Sequence, residues 1–496
     1  MDLIRKYPNY QGGFIWDMVD QAVRGTSKVT GKQIWMYGGD SGRYPASDHN
    51  FNCNGIVAPD RSFHPHAYEV AYGYQDYWVK GIDLNAGTIS IYNEKFFTAS
   101  ENVGMVLTVL VDGKNVNRFG VDNIRLPQQQ TTAVKVPMKA IKSVIEANPG
   151  KEVLLNVEFV LKNATPMLPA GYVIAHEQLP LNDPYALQTA AAEEVAATGE
   201  VKVDSMLACY EMTANDMTVT INRRTGMIDY VDVHGKPLLA DGFSVDPNFW
   251  RAPTDNDYGG GAGIQRRVLA WRNPRLELKS IGMESDNNRA CVTANMNIAG
   301  LEAGLTITYI LYADGTLTVK EHLDVNEEAK HKPMPTRFGM QWVMPEEYGT
   351  VQYYGRGPIE NYADRKESQH LGYFTSAVAG EYHAYIRPQE SGNHCDVRYW
   401  QVVNAKGEGL EFKAHGPMEC SSLNYLPSDL DDGIDKNARQ SHSGDLTPRN
   451  LTVTQVAQTQ MGLGCVNSWG AWPENEYLLG WKDRDFTYTV KYIGGL

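Results

Sequence analysis

The residues best suited to chemistry lie near the start of the chain, where residues 11–21 read Gln-Gly-Gly-Phe-Ile-Trp-Asp-Met-Val-Asp-Gln. The apolar run predicts a buried strand over residues 13–19, and Trp16, Asp17 and Asp20 come where that strand would surface. Indole rings stack on the C–H faces of a hexose, and carboxylates accept hydrogen bonds from its hydroxyls. The segment therefore indicates a sugar site; a barrel-core tryptophan with a capping aspartate is the alternative that stays open.

A second polar cluster, residues 48–55, reads Asp-His-Asn-Phe-Asn-Cys-Asn-Gly. Asparagine-rich loops commonly exist because asparagine tolerates turn conformations. The functional alternative is that an asparagine amide and a backbone carbonyl supply neutral oxygens for a monovalent cation or a sugar hydroxyl. Both interpretations remain open from these residues alone.

Three further motifs argue against common cofactors. Asp255 and Asp257 have the spacing of a calcium loop, but no glutamate closes it, and the glycines at 259–263 lack the dinucleotide-binding register. His64 and His66 have no further ligand nearby, which favours a histidine pair at a helix start over a metal site. Residues 354–362 and 388–398 are read either as loop anchors or as ligand-binding groups.

Composition narrows the class of partner. The chain has 496 residues, with Lys+Arg 45 against Asp+Glu 59 and a formal net charge of −14, which excludes nucleic acid or an anionic membrane as the main partner. No apolar run approaches the roughly 18 residues of a membrane span. Six cysteines without a Cys-x-x-Cys pair are typical of free thiols in a reducing compartment, which predicts a cytoplasmic protein.

The pattern of predicted helices, strands and loops divides the chain into four stretches. Residues 1–78 predict a helix end at 4–7, the strand at 13–19, a long polar loop and a helix over 63–77, as in a βα unit of a barrel. Residues 79–185 show short strands separated by turns, which predicts an immunoglobulin-like β-sandwich. Residues 186–204 predict a linker, and residues 205–496 predict one large two-sheet sandwich. The predicted fold class is mainly β.

Six motifs, in this order, resemble the long, five-domain β-galactosidases of glycoside hydrolase family 2. They are the 11–21 segment, Tyr-Gly-Gly-Asp at 37–40, Asn-Gly-Ile-Val-Ala-Pro-Asp-Arg at 54–61 with the following His-Pro, Arg-Ala-Pro-Thr-Asp-Asn-Asp at 251–257, Gly-Arg-Gly-Pro-Ile-Glu-Asn-Tyr at 355–362, and Asn-Ser-Trp at 467–469. The resemblance implies a truncated end of a (β/α)₈ barrel (its last strand and helix), an immunoglobulin-like sandwich and a large β-supersandwich.

The resemblance also implies an activity and a set of site residues. Retaining hydrolysis of terminal β-galactosides uses two glutamates, which in the family lie on barrel strands before the Trp16 strand, so no catalytic residue is expected here. Trp16 would be the galactose platform, Asp48 part of the active-site loop, and Asn54 a ligand of galactose and sodium. Phe51 would offer its carbonyl to sodium, and Trp469 would reach the aglycone. Sodium and magnesium are implied as cofactors, with both sites incomplete in this chain.

The implied partners are a lactose-like β-galactoside and further copies of the full-length enzyme in a homo-oligomer, with no nucleic acid and no membrane. A periplasmic location stays open if an export signal precedes the chain. One alternative function is a complementing or carbohydrate-binding subunit that pairs with a chain carrying the rest of the barrel. Another is a sugar epimerase, in which His394 and Glu390 would converge in a pocket of the last domain.

Overall fold

The computed structural model describes residues 1–42, 53–182, 199–258, 263–330, 332–434, 440–464 and 471–494. Within these ranges the chain is built mostly of β-strands arranged in several sheets, which confirms the predicted fold class. No helix in these ranges has the length and apolar character required to cross a membrane.

The first region contains two helices and a hairpin. Its elements are α1 (Asp2–Lys6), β1 (Val23–Thr26), β2 (Gln33–Met36) and α2 (Pro65–Gly73). His64 is the N-cap of α2 and Pro65 its first residue, a position where proline loses no helical hydrogen bond. The helix predicted over residues 63–77 is confirmed, although α2 is shorter than predicted at both ends.

The prediction of a buried strand over residues 13–19 is wrong for this chain. Phe14 and Trp16 are 105% and 75% exposed, and the pairing is confined to a parallel contact between Val19 and Val57 and neighbouring backbone bonds. A barrel strand needs a hydrogen-bonded neighbour on each side, and the described residues supply one, residues 54–57. The Trp16 segment is therefore paired along one side only among the described residues.

The second region is a seven-stranded sandwich. Its elements are β3 (Tyr77–Asp83), β4 (Thr88–Asn93), β5 (Val103–Val111), β6 (Lys114–Val121), β7 (Gln130–Lys135), α3 (Met138–Ala147), β8 (Val153–Leu161) and β9 (Val173–Pro180). The sheets run β3-β4-β7 and β6-β5-β8-β9. Met105, Leu107 and Val109 alternate along β5 and pack in the core between the sheets. Residues between them, such as Thr108, face outward.

The third region contains nineteen strands in the described residues. They are β10 (Lys202–Ser205), β11 (Cys209–Ala214), β12 (Met217–Asn222), β13 (Ile228–Val233), β14 (Lys236–Pro237), β15 (Asp246–Asn248), β16 (Leu276–Ser285), β17 (Arg289–Ile298), β18 (Ala303–Tyr312), β19 (Leu317–Val325), β20 (Arg337–Pro345), β21 (Thr350–Gly357), β22 (His370–Ala377), β23 (His394–Val397), β24 (Tyr399–Val403), β25 (Gly409–Ala414), β26 (Met418–Leu423), β27 (Leu451–Gln460) and β28 (Arg484–Ile493). Strand β10 begins inside the predicted linker, most of which lies outside the described residues. Short helices α4 (Ile264–Arg267) and α5 (Val378–Glu381) complete the region.

These strands form a large sandwich with one extensive core. A nine-stranded sheet, β16-β17-β18-β19-β28-β25-β24-β21-β22, and two five-stranded sheets, β15-β20-β27-β26-β23 and β10-β11-β12-β13-β14, share a single apolar cluster. Trp271, Trp342 and Trp400 are fully buried in it. Each indole N–H is paired, as burial of a polar group requires; that of Trp342, for example, donates to the Tyr488 hydroxyl at 3.0 Å.

Polar contacts join the three regions. The Arg398 guanidinium donates twice to the Glu152 carboxylate, at 3.0 and 2.9 Å, and so fixes the second region on the third. The Tyr37 hydroxyl donates to the Ser441 carbonyl at 2.7 Å, fixing the first region on the third. Both contacts are largely buried, so the relative position of the regions is set by directional bonds as well as by apolar packing.

Candidate functional site

A cavity of about 450 Å³ lies where the first region meets the third. Asp20, residues 53–55, His64 and His66 line one side; residues 254–256, 364–365, 385–387, 389–390 and 463–464 line the other. Its volume is in the roughly 300–1,000 Å³ range of small-ligand sites. Most of the lining side chains are polar or charged, so the cavity suits a ligand with many hydroxyl groups.

Asn54 is held in this cavity by bonds to its neighbour Gly55. The Gly55 N–H donates to Asp20 Oδ1 at 2.7 Å, and His66 Nε2 donates to the Gly55 carbonyl at 2.8 Å. A Cβ on Gly55 would stand 2.0 Å from the Asp20 backbone nitrogen, which explains glycine at this close approach. Both peptide groups of Gly55 are therefore bonded to side chains, which orients the Asn54 turn.

His64 connects the same turn to the third region. Its Nε2 lies 2.7 Å from Asp20 Oδ2, and its Nδ1 lies 2.8 Å from Nε2 of His383, which is 319 residues away. Because a carboxylate only accepts, the His64 Nε2 carries the hydrogen in this pair. Burial lowers the pKa of His66 and of His383 to about 4, so both rings are neutral at neutral pH.

The wall that faces Asn54 is stabilised by a buried carboxylate, Glu360. Its oxygens accept from the Tyr385 hydroxyl at 2.5 Å, from Arg365 at 2.7 Å and from the Ser391 hydroxyl at 2.9 Å. Burial alone would raise the pKa of Glu360, but Arg365 and these hydrogen bonds outweigh it and lower the pKa. Glu360 is thus an ionised anchor, so the loop-anchor interpretation of residues 354–362 fits this residue.

The 251–257 motif is also held by a buried ion pair. Arg251 is 1% exposed; its guanidinium donates to both oxygens of Asp257, at 3.2 and 3.3 Å, and to the Gly462 carbonyl at 2.9 Å. Asp257 is therefore part of a structural pair. Asp255 and Asn256, between them in sequence, line the cavity instead.

Two of the predicted site residues can be located. Asn54 lines the cavity, whereas Trp16 does not; the segment that carries Trp16 pairs with Asn54, because the Asp17 N–H donates to the Asn54 carbonyl at 2.9 Å. Asp48, Phe51 and Trp469 lie outside the described residues. The roles of these five residues stay predictions.

Other cavity residues were missed as site residues by sequence reasoning. His64 and His66 were read only as a helix start, whereas both also hold the Asn54 turn. Arg387 and Asp364 carried no local signal, because they reach the cavity from loops far along the chain.

The implied metals find little support in the described residues, where no group of three His, Cys, Asp or Glu side chains could hold an ion. Of the two predicted sodium ligands, the structure describes Asn54 alone, and one neutral oxygen donor does not make a sodium site.

The epimerase alternative needed His394 and Glu390 to converge. Instead, His394 Nε2 lies 2.8 Å from Glu381, and Glu390 Oε1 accepts from Arg337 at 2.7 Å. His394 is fully buried and does not line the cavity. The structure does not pair these two residues, because each has a different partner in the core.

Comparison with known proteins supplies the family. The model described as "Beta galactosidase small chain" matches residues 213–491, more than half of the chain. "Beta-galactosidase, domain 4" matches residues 89–182, and "Glycosyl hydrolases family 2, TIM barrel domain" matches residues 1–78.

Curated β-galactosidases match nearly the whole chain. Those of Priestia megaterium and Halalkalibacterium halodurans are 30% and 29% identical over 98% and 99% of this chain, and over 45% and 46% of their own length. The chain thus spans about half the length of these relatives. Among solved structures, an Escherichia coli K12 protein described as a putative aldose 1-epimerase covers 58% of this chain and 99% of itself at 11% identity. Its TM-score of 0.32 is too low to support an inference. On the family matches, the chain belongs to the glycoside hydrolase family 2 β-galactosidases.

Proposed function

We propose that this chain is the carboxyl-terminal, galactoside-binding part of a retaining β-galactosidase and is catalytically incomplete by itself. The observation that carries the proposal is the cavity in which Asn54 faces loops of the large sandwich. Trp16 does not line the cavity; it lies on the segment whose backbone pairs with Asn54, and its 75% exposed ring offers an apolar face for a hexose. The polar cavity and this exposed ring are the two kinds of surface that a sugar requires.

The carboxylates of the cavity support catalytic incompleteness. Retention requires two carboxyl groups about 5–5.5 Å apart that are available to the anomeric carbon and the leaving oxygen. Four carboxylates among the described residues line the cavity, those of Asp20, Asp255, Asp364 and Glu390. Asp20 accepts from Gly55 and pairs with His64, Asp364 accepts from the backbone N–H groups of Leu463 and Gly464, and Glu390 pairs with Arg337. Asp20, Asp364 and Glu390 are engaged in holding loops, so they are poor candidates for nucleophile or proton donor.

The exposed edge of the first region favours the complementing-subunit alternative as a second candidate. Phe14, Trp16 and Met18 are 105%, 75% and 61% exposed and lie on the segment that pairs with residues 54–57 on one side. Exposed apolar side chains on a half-paired strand segment suit a surface that other barrel strands cover. Such strands would have to bring the two catalytic glutamates.

Co-expression tests both candidates. The chain is purified alone, and with a second chain that spans the part of the Priestia megaterium enzyme that this chain does not match. We expect no hydrolysis of an aryl β-galactoside by the chain alone, and hydrolysis by the pair that is lost when Trp16→Ala is introduced. Turnover by the exhaustively purified single chain would overturn catalytic incompleteness. A pair that assembles but binds no galactose would overturn the proposed function.

A further inference from the structure

A larger cavity, of about 740 Å³, lies at the junction of all three regions. It shares no lining residue with the cavity of about 450 Å³ around Asn54, here called the galactoside cavity. A second cavity of about 430 Å³ continues it, because both are lined by Asn115, Asn156 and Glu158. Together they form one groove, here called the sandwich groove, over the outer face of the β6-β5-β8-β9 sheet. We propose that the sandwich groove is a non-catalytic binding site for a neutral oligosaccharide.

The floor of the groove is a row of polar side chains on a rigid sheet. Arg118, Thr108 and Asn156 are direct cross-strand partners on β6, β5 and β8, and Glu158 lies two residues further along β8. The opposite face of β5 and β8 is the apolar core of the sandwich, so the floor is fixed by packing. Such a floor presents its side chains at constant spacing.

One end of the same sheet face is apolar and marks where the groove begins. Leu110 and Leu154 pack there against Tyr354 and Leu371 of the third region. Beyond this contact the two regions separate, and the face becomes polar at Thr108 and its neighbours. The third region therefore forms a wall beside an open polar floor.

The polar groups of the floor remain available. With the described residues, the side chains of Asn115, Asn117 and Glu158 make no hydrogen bond or ion pair, whereas Asn156 Oδ1 accepts from Gln178 at 2.8 Å. Amides supply both donors and acceptors, and Glu158 supplies acceptors. Sugar hydroxyls need both kinds of partner, so this set suits a saccharide.

The charges and rings of the groove select a neutral, partly apolar ligand. Lys114 and Arg118 are balanced by Glu158 and Glu177, which disfavours a polyanion. Tyr68, Tyr373 and Phe374 line the wall, where aromatic rings can meet the C–H face of a pyranose. The two cavities, of about 740 and 430 Å³, give the groove room for more than one sugar unit.

The test uses the chain as purified, with β-1,4-linked galactotriose as the probe and titration calorimetry together with hydrogen exchange as readouts. We expect slower exchange in residues 106–118 and 153–161 when the trisaccharide is present. Glu158→Gln should weaken this binding about tenfold or more, because it removes a charged acceptor that has no partner among the described residues. The matched control, Glu146→Gln on the exposed side of α3, should bind as the parent does.

The readouts separate this site from the galactoside cavity. Protection confined to residues 53–66 would support the proposed function and overturn the sandwich groove as a saccharide site. Protection at 106–118 without protection at 53–66 would support the groove and count against the galactoside cavity. No protection at either place, with no heat of binding, would show that the groove is a hydrated cleft between regions and overturn the inference.

Discussion

Replacement of Asp20 should loosen the turn that carries Asn54. Asp20 is 5% exposed, and its two oxygens accept from the Gly55 N–H and from His64 Nε2, both at 2.7 Å. Asp20→Ala leaves both donors buried without an acceptor. Each such donor costs about 1–3 kcal/mol, so we expect the turn to be destabilised by about 2–6 kcal/mol. Asp20→Asn keeps one acceptor and adds a donor, so it should cost less.

Hydrogen exchange of the peptide spanning residues 53–58 measures this loss locally. A destabilisation of about 2 kcal/mol corresponds to exchange about thirtyfold faster. The exposed Asp204 on β10 provides the control, and Asp204→Ala should leave exchange at 53–58 unchanged. The reasoning is refuted if Asp20→Ala exchanges at the parent rate, or if Asp204→Ala accelerates exchange equally.

Three further substitutions test other parts of the structure. Glu152→Ala leaves the buried Arg398 guanidinium without its carboxylate partner, so we expect the free energy of unfolding to fall by about 3–5 kcal/mol. The loss would be measured as a lower urea midpoint, and an unchanged midpoint would contradict the stabilising role of this ion pair. Gly55→Ala would place a Cβ 2.0 Å from a backbone nitrogen, so we expect faster exchange at 53–58 and weaker galactose binding, whereas Gly282→Ala, which points into open space, should change neither. Burial, a neighbouring histidine and a nearby arginine lower the pKa of His370 to about 3, against an ordinary value of 6.5. The unfolded chain therefore binds this proton at a higher pH than the folded chain does, so the free energy of unfolding falls as the pH drops from 6.5 towards 3. His370→Asn should reduce the fall in urea midpoint between pH 7 and about pH 4.5. An equal fall in the parent and the variant would refute this reasoning.

Strands could be predicted to the residue where apolar side chains recur at every second position. This pattern predicts strands over residues 103–111, 153–161 and 217–222, and β5, β8 and β12 span these residues. In each, apolar residues recur at every second position, because one face packs in a core. On the other face of β5 and β8, Leu110 and Leu154 pack against the third region. The alternation is a local signal, so it is readable without knowledge of the partner strands.

Helix α3 was not predicted, although its pattern is visible afterwards. Met138, Ile141 and Val144 are buried at a spacing of three residues, and the lysines between them face solvent. Burial against the sandwich core decided in favour of the helix.

The segment around Trp16 was predicted to be a buried strand, and the structure exposes it. Its composition is that of a buried barrel strand, yet its side chains are exposed. Composition reports the environment for which a segment is suited, whereas burial depends on which neighbouring strands are present to pair with it. The described residues supply one short neighbour.

The sequence by itself determined the family and the mainly β fold, because these follow from local motifs and alternating hydrophobicity; the role of Asn54 stays a prediction from the family resemblance. Only the tertiary structure decided what holds Asn54 in place. Asp20, His64 and His383 come from three separate segments, and their hydrogen bonds form because folding buries Asp20 and His64 and brings the half-buried His383 against them. Buried polar groups must find partners wherever the chain brings them, and no local pattern identifies a partner 319 residues away.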